Sequence, residues 1–371
     1  MPIESVDEKA SMKQLGIVQT QQRRRGLLRA TLLAMLGLLF CSLASSLSPR
    51  KPPYDQGKVT EPRLFAEGVI STEDDEINGA FTPDGTEYYF SKVNQYTNFP
   101  RIGIICVSRF VNGRWTQPEV VPFSGQYLDL TPRFSPDGKK LYFTSMRPAP
   151  ETNARVLRIW SVERETGGWG KPQPLPAPIN ADNHWNWGAS VTRDGAIYFA
   201  SSREATGNQH IFRSRLVNGR YTEPEKLGPE INSAFNEGDP FVSPDEHLLI
   251  FSSSGTGPPE AKDRPETIQG GGVLYSRADL YASVFENGKW SKARHLEHNV
   301  NSSADEGSPS ITPDGKYIFF TSERSPFTVP TSHPLNYQEI ERLLHSTLNG
   351  HGNIFFISTE VLDLPVKQDP R

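Results

Sequence analysis

The sequence predicts an all-β fold, a β-propeller of four-stranded antiparallel blades, and three observations lead to this prediction. A twelve-residue motif, written "FSPDGKKLYFTS" from Phe134 to Ser145, recurs in five close copies along the 371 residues. Asn-Gly dipeptides lie between alternating strand patterns, and they are the strongest local signal for a β-hairpin. Finally, 31 Pro and 30 Gly predict many turns, whereas long apolar helical stretches are scarce, which is typical of short strands.

Each motif copy predicts one hairpin. Its Pro suits an early turn position, and its Gly suits the turn position that needs a positive φ. The segment after the turn is rich in β-branched and aromatic residues, as in a strand buried on both faces. The repeat is read from the spacing of the motif aspartates, which are Asp84, Asp137, Asp194, Asp245 and Asp314.

A second hairpin is predicted in each of the first four repeats. The turns of these hairpins are Asn112-Gly113, Gly167-Gly168, Asn218-Gly219 and Asn287-Gly288. Each repeat therefore supplies four short strands. One such sheet cannot bury both of its faces alone, whereas radial stacking of the repeats buries each sheet against its neighbours.

Five motifs predict five blades, with a sixth, degenerate blade as the alternative. The last repeat ends its third strand at "NIFFISTE", Asn353 to Glu360, and no further hairpin follows. The segment from Pro62 to Ser71 has a strand pattern but precedes the first motif. We expect this N-terminal strand to complete the last blade and close the ring, which leaves few free strand edges.

The repeats resemble the PD40 (WD40-like) family, and the whole arrangement resembles the TolB-like propellers. The resemblance rests on the core "SPDGK-x-L-Y-F-T-S" and covers residues 60–362. It is specific for this class of repeat and not for one function. It implies an exported propeller that binds another protein.

The N-terminal residues 1–47 predict an export signal or a membrane anchor. Four arginines, Arg23, Arg24, Arg25 and Arg29, precede an apolar run that ends in small residues. "RRGLLR" resembles a twin-arginine motif. The protein is therefore expected in the periplasm or outside the cell, with anchoring to the inner membrane by residues 27–47 as the alternative. Residues 48–59 predict a linker, residues 60–362 the propeller and residues 363–371 a C-terminal tail.

One position in the repeat suggests a ligand or partner site at the mouth of the central channel. Eight residues before each motif aspartate, at the predicted start of the innermost strand, stand Glu76, Asp129, Asn186, Glu237 and Glu306. Such a ring of oxygen ligands would suit Ca²⁺ or Mg²⁺, a basic partner group or a catalytic carboxylate pair. The alternative is a structural brace within each blade, with Arg147, Arg203 and Arg324 opposite their acids. Glu76 and Glu237 have no such arginine and are expected to be the freest.

The stretch "NHWNWG", Asn183 to Gly188, adds His184 and Trp185 to this candidate site. Exposed Trp faces suit sugars, peptides or cations, whereas Trp187 is expected to pack between blades. Long loops are predicted at the same mouth, and binding groups tend to lie on such loops. The last of these loops contains an amphipathic helix predicted from Tyr337 to Leu348.

Composition and motifs restrict the function. Without residues 1–44 the formal net charge is about −7, which would repel nucleic acid. We find no Gly-x-Ser-x-Gly elbow, phosphate loop, dinucleotide fingerprint or Cys cluster. We therefore predict a non-catalytic protein-binding module in the cell envelope, with no cofactor and with membrane contact only through the N-terminal segment. A glycan-binding or glycan-active propeller and a purely structural module are the alternatives.

Overall fold

The protein is a five-bladed β-propeller, as predicted. The computed structural model describes residues 52–94, 102–149, 156–181, 184–204, 208–254, 278–327 and 331–366. Five antiparallel sheets surround a central channel, and five strands, one from each blade, line it. These first strands are β2 (Asp75–Phe81), β7 (Asp129–Phe134), β12 (Asn186–Val191), β18 (Glu237–Val242) and β23 (Glu306–Ile311).

The second and third strands of each blade form its buried middle. The second strands follow the Pro-Asp-Gly turns and are β3 (Glu87–Val93), β8 (Lys140–Ser145), β13 (Ile197–Ser201), β19 (Leu248–Ser253) and β24 (Tyr317–Ser322). The third strands are β4 (Gly103–Val111), β9 (Arg158–Glu165), β14 (His210–Ser214), β20 (Asp279–Glu286) and β25 (Asn353–Ser358).

The outer strands differ in detail from the sequence prediction. The Asn-Gly turns and the Gly167-Gly168 turn close small distal hairpins with β5 (Arg114–Trp115), β10 (Gly168–Trp169), β15 (Leu216–Val217) with β16 (Arg220–Tyr221), and β21 (Lys289–Trp290). The fourth strand comes after each hairpin and spans two residues. These strands are β6 (Glu119–Val120), β11 (Gln173–Pro174), β17 (Glu225–Lys226) and β22 (Arg294–His295).

The ring is closed by the N-terminal strand, as predicted. Strand β1 (Arg63–Leu64) pairs antiparallel with β25, with Arg63 opposite Phe356 and Leu64 opposite Phe355. The strand is shorter than the predicted segment. Closure pairs the first described strand with the last, so that the fifth blade has four strands like the others.

The ordered domain extends beyond residues 60–362 at both ends. Tyr54 and Val59 are each 1% exposed and pack in a cluster with Phe81 and Tyr317. At the other end, Leu364 is buried beside the last blade, with Val366 packed against the same cluster. Part of the expected linker and part of the expected tail therefore belong to the propeller.

The repeated motif has a structural role that its hydrogen bonds explain. In blade 2, Ser135 Oγ donates to Asp137 Oδ1 and accepts from the Lys140 amide, and Asp137 also accepts from the Lys139 amide. The same Ser/Thr–Asp pair closes the turn in the other four blades. Side-chain oxygens in these positions satisfy turn amides that no strand can pair.

The predicted helix is present but shorter than expected. Helix α1 (Tyr337–Leu344) begins after Asn336, whose side chain accepts from the Glu339 amide in a capping box. It ends at Leu344 rather than Leu348. Among the described residues, no helix is long and apolar enough to cross a membrane.

Candidate functional site in the central channel

A bulge interrupts all five first strands at the same position and shapes the channel. Each strand shifts register there against its partner, and one residue has a positive φ. These residues lie two positions after the ring of predicted site residues, and they are Asn78, Thr131, Gly188, Asp239 and Ser308. A bulge leaves an amide without its ladder partner.

Three of these backbone amides donate hydrogen bonds to hydroxyl groups of the preceding blade. The Asn78 amide donates to Thr321 Oγ1 over 3.1 Å, the Thr131 amide to Ser91 Oγ over 3.1 Å, and the Gly188 amide to Thr144 Oγ1 over 3.2 Å. The "TS" at the end of the repeated motif thus joins one blade to the next. Most of the repetition in the sequence is explained by turns and by these joints.

The predicted ring residues are buried and hydrogen-bonded to neighbours in the protein. Glu76, Asp129, Asn186, Glu237 and Glu306 are each at most 1% exposed. Asp129 Oδ1 accepts from Arg147 over 2.8 Å, and Ser124 Oγ donates to its other oxygen over 2.8 Å. Arg147 also lies over the Phe143 ring. The arginine is therefore fixed on an aromatic face with its charge paired.

Blades 3 and 5 repeat this arrangement. Asn186 Oδ1 accepts from Ser201 Oγ over 2.7 Å and from Arg203 over 3.3 Å. Glu306 accepts from Ser322 Oγ over 2.7 Å and from Arg324 over 3.3 Å. Burial raises the pKa of Glu306, and its serine hydrogen bonds and Arg324 lower it. The amide of Asn186 therefore occupies the position that a carboxylate has in the other four blades.

The expectation that Glu76 and Glu237 are free is wrong, because other residues replace the missing arginine. Lys92, directly opposite Glu76 across the hairpin, places Nζ 3.1 Å from Glu76 Oε1. His210 on the third strand places Nδ1 3.0 Å from Glu237 Oε2. Each acid also accepts from the hydroxyl four residues earlier, Thr72 or Ser233. Lys92 and His210 do not stand at the sequence position that the arginines occupy in the other blades. The sequence pattern therefore could not identify either partner.

The loop face, defined as the end of the channel where the first strands begin, also carries the predicted aromatic residues. Trp185 is 43% exposed and His184 is partly exposed. Trp187 packs between blades, as expected, because its Nε1 lies 3.5 Å from the position of a Cβ on Gly238. Tyr127 and Phe235 are also exposed, and each lies two residues before the start of a first strand, whereas Trp185 lies directly before one.

Much of the long-loop surface lies outside the described residues. The predicted loops were Val93–Arg101, Met146–Arg158, Gly255–Gly272 and Glu323–Gly352, and the structure describes them only in part. Gly255–Gly272 lies wholly outside the described residues. In the described part of the chain, no group of three or more His, Cys, Asp or Glu side chains is arranged to hold a metal ion. Ca²⁺ or Mg²⁺ at the ring stays a prediction.

The middle of the channel contains a buried cation that the sequence analysis missed. Arg133 is 7% exposed. Its NH1 donates to the Gly79 carbonyl over 2.6 Å, and its NH2 donates to the Pro309 carbonyl over 2.7 Å. Burial lowers the pKa of Arg133, and the charge of Asp239 raises it. The guanidinium thus spans the channel between blades 1 and 5.

Arg133 lies beside a short polar chain on the bulge ring. Asn78 donates to Ser308 Oγ, and Ser308 Oγ donates to Asp239 Oδ2 over 3.0 Å. Burial raises the pKa of Asp239, whereas Ser308 and Arg133 lower it. Among the described residues, no carboxylate oxygen lies within the 4.0 Å ion-pair distance of Arg133.

A cavity opens on the turn face, defined as the end of the channel where the first strands reach the Pro-Asp-Gly turns. Its volume is about 530 Å³, within the range of about 300–1,000 Å³ usual for ligand sites. Arg133 is part of its lining, together with apolar side chains from all five blades. Four prolines and Arg193 occupy the equivalent turn positions at its rim, and the prolines are Pro83, Pro136, Pro244 and Pro313.

A signal for Arg133 was present in the repeats. The fourth residue after each ring residue is Ala80, Arg133, Ser190, Phe241 or Ser310, and all five line the cavity. Arg133 is the one charged residue in this set. A charge in a buried strand position where the other repeats have small or apolar groups indicates a special role.

Asp75, next to Glu76, gives a pH-dependent prediction. It is 6% exposed, and its Oδ1 accepts from the Gly352 amide over 2.8 Å. Burial raises the pKa of Asp75 from 3.8 to about 6, while Gly352 and His351 lower it. Because the folded-state pKa is raised, folding favours the protonated carboxyl. The free energy of unfolding should therefore fall as pH rises from about 4 through 6.

We expect Asp75→Asn to stabilise the protein above pH 7 by about 2–3 kcal/mol, because the amide is neutral and still accepts from Gly352. The gain should shrink toward pH 4. Urea unfolding at several pH values measures it. Asp74→Asn is the matched control, since Asp74 is an exposed partner of Lys92 and its loss should change stability by less than about 1 kcal/mol. A destabilised Asp75→Asn at every pH would contradict this prediction.

Comparisons with known proteins show similarity to propellers of different activities. No family model matches the chain, so the resemblance to PD40 repeats stays a prediction. The chain is 24% identical over 205 residues to the uncharacterised peptidase YuxL of Bacillus subtilis, over 52% of this chain and 29% of that protein. The chain therefore spans less than a third of this curated relative.

Two solved structures of enzymes with different names align with the chain. A GH43 endo-arabinanase from Bacillus licheniformis aligns with a TM-score of 0.44 at 10% identity, over 78% of this chain and 96% of that one. A puromycin-hydrolyzing peptidase of Mycobacterium tuberculosis aligns with a TM-score of 0.36 at 14% identity, over 75% and 41%. At these identities and TM-scores, neither structure indicates a function for this chain. The function must therefore be argued from the site.

Proposed function

We propose that the protein is an exported, non-catalytic propeller that binds a partner polypeptide in the cavity on the turn face. The cavity is the observation that carries the proposal. It is recessed and mainly apolar, and its floor is formed by the five first strands with one buried charged group. Recessed apolar sites with a few placed polar groups are the usual binding sites of proteins. The predicted export signal in residues 1–47 would deliver this binding activity to the cell envelope.

The non-catalytic part of the proposal rests on the ring acids. A general acid or base must reach the reacting group of a substrate. Glu76, Asp129, Glu237 and Glu306 instead accept hydrogen bonds from neighbours in the protein, and they are at most 1% exposed. To act on a substrate, each would have to break a buried ion pair or hydrogen bond.

The rim prolines offer a direct test of the cavity. Blade 3 has Arg193 where the other rims have proline, so this turn accepts a residue other than Pro. We expect the full chain with Pro136→Trp and Pro313→Trp to melt normally and to bind its partner at least about tenfold more weakly, because the indoles obstruct the mouth. The partner is first captured by cross-linking in the producing cells. Its affinity is then measured by calorimetry.

A matched control introduces a tryptophan at a site outside the cavity. Val217→Trp lies on the distal hairpin of blade 3, where Val217 is 50% exposed, and it should leave the affinity unchanged. Equal affinities for native protein and rim variant would overturn the cavity as the site of binding.

A glycan is the second candidate ligand, and one observation favours it. Tyr127, Trp185 and Phe235 are exposed on the loop face of blades 2, 3 and 4, one or two residues before the first strand of each blade. Aromatic faces in a row can stack on successive sugar rings. Binding of a soluble oligosaccharide that Trp185→Ala abolishes, and that the rim variant retains, would favour this candidate over the first.

A further inference from the structure

The floor of the cavity has one positive charge in an otherwise neutral setting. Of the five equivalent floor residues, Ala80, Ser190, Phe241 and Ser310 are neutral and Arg133 is cationic. A buried cation costs free energy unless hydrogen bonds and an opposite charge compensate it. Arg133 has hydrogen bonds to two carbonyl groups. Carbonyl groups orient a guanidinium, but they carry no net charge to neutralise it.

The carboxylate whose charge acts on Arg133, Asp239, is already engaged. Asp239 accepts from Ser308 Oγ, and it lies beyond ion-pair distance of Arg133. The two carbonyl bonds use one N–H on NH1 and one on NH2, and a guanidinium has five N–H groups in all. Arg133 therefore keeps donors and an incompletely neutralised charge at a surface that lines the cavity.

The walls above Arg133 determine what else a ligand must carry. Phe81, Phe134, Val191 and Ile311 line the cavity between the floor and the proline rim. An ion without an apolar body would leave these walls in contact with water. A ligand with one anionic end and an apolar body would bury the walls and pair the guanidinium together. Arginine pairs with planar carboxylates through two parallel hydrogen bonds.

We propose that the cavity on the turn face binds an apolar carboxylate, with its carboxylate on Arg133 and its apolar body against the four side chains above. The C-terminal residue of a partner polypeptide presents this chemistry, and a free apolar carboxylic acid shares it. The inference rests on the proposed function, since it specifies which part of the partner enters the cavity. The one arginine of the cavity floor selects one negative charge.

The test compares two peptides on the full-length native protein. The probes are N-acetyl-leucyl-phenylalanine with a free carboxylate and the same dipeptide as its carboxamide. Calorimetry should show the acid binding at least about tenfold more tightly than the amide. Phenylpropionate is the third probe and identifies the source. It should bind more weakly than the peptide acid, because it lacks the peptide unit and the leucine.

Variants assign the preference to Arg133. Arg133→Met should bring the affinities of acid and amide to within about twofold of each other. Arg220→Met is the matched control, because Arg220 is exposed on the distal hairpin of blade 3, away from the cavity lining, and it should retain the preference for the acid. The comparison of acid with amide on the native protein needs no variant, so a failure of Arg133→Met to fold leaves the test intact.

Each outcome has a distinct meaning. If the native protein binds the acid and the amide with equal affinity, the carboxylate inference is overturned. If the rim variant then binds neither peptide, the cavity is still supported as a peptide site. If neither peptide binds, the inference is also overturned. The proposed function is tested separately, by the affinity of the captured partner for the native protein and for the rim variant. Phenylpropionate bound as tightly as the peptide acid confirms the carboxylate chemistry but overturns a chain terminus as its source.

Discussion

Asp129→Ala should destabilise the propeller by about 3–5 kcal/mol, because it leaves a buried cation without its partner. Arg147 would keep its bonds to Ser145 Oγ and the Phe123 carbonyl, but its side chain is only 10% exposed, so that water cannot replace the lost carboxylate. A loss of this size is a large fraction of the stability of a typical domain. Urea unfolding curves, compared at equal slopes, measure it.

Asp129→Asn is the matched control, and the protein itself suggests it. In blade 3 the amide of Asn186 already accepts from Ser201 and from an arginine. We therefore expect Asp129→Asn to lose less than half of the free energy that Asp129→Ala loses. If Asp129→Ala unfolds at the same urea concentration as the native protein, the brace contributes nothing. The ring acids would then be available for the ligand or partner site that the sequence suggested.

The sequence predicted those features that every repeat shares. Five motifs predicted five blades, and the missing strand after Asn353–Ser358 indicated that Pro62–Ser71 closes the ring, within which Arg63–Leu64 forms the strand. The offset of Arg147 and Arg324 from their acids predicted the cross-strand brace in blades 2 and 5. Such inferences succeed because strand alternation and turn chemistry act within a few residues of each other.

Features that arise from contacts between blades could not be predicted in this way. The positive-φ positions have five different residue types, from Asn78 to Gly188, so that no sequence pattern indicated a bulge. His210 reaches Glu237 from the third strand of the preceding blade, across 27 residues of chain. Arg133 contacts the carbonyls of Gly79 and Pro309, which are 54 and 176 residues away. Contacts between residues so far apart in the sequence form only when the blades close into a ring.

The departures from the repeat are the more informative positions for function. The motif's Ser/Thr and Asp residues close turns, and its last two residues join blades and brace acids. These roles need the same side chains in each copy. Arg133 and Arg193 occupy positions where the other copies have neutral residues, and both line the cavity. The repeat explains neither residue, and we propose that Arg133 contacts a ligand at the turn face.

Deletion of residues 52–71 should abolish the cooperative unfolding of the propeller and cause aggregation. The deletion removes β1 and exposes the edge of β25, and an unpaired edge is a template for association. It also removes Tyr54, Phe65 and Ile70, each at most 5% exposed, from the cluster that joins the first blade to the last. Phe65 alone contacts the rings of five other aromatic residues.

Two measurements separate edge exposure from loss of packing. Thermal unfolding followed by circular dichroism should show no sharp transition for the deletion, and size-exclusion chromatography should show material larger than the monomer. Phe65→Ala is the matched control, because it keeps β1 and removes only packing. We expect it to melt cooperatively with a loss of about 3–5 kcal/mol and to stay monomeric. A deletion variant that melts like the full chain would show that the ring closes without β1, and the fifth blade would then be stable with three strands.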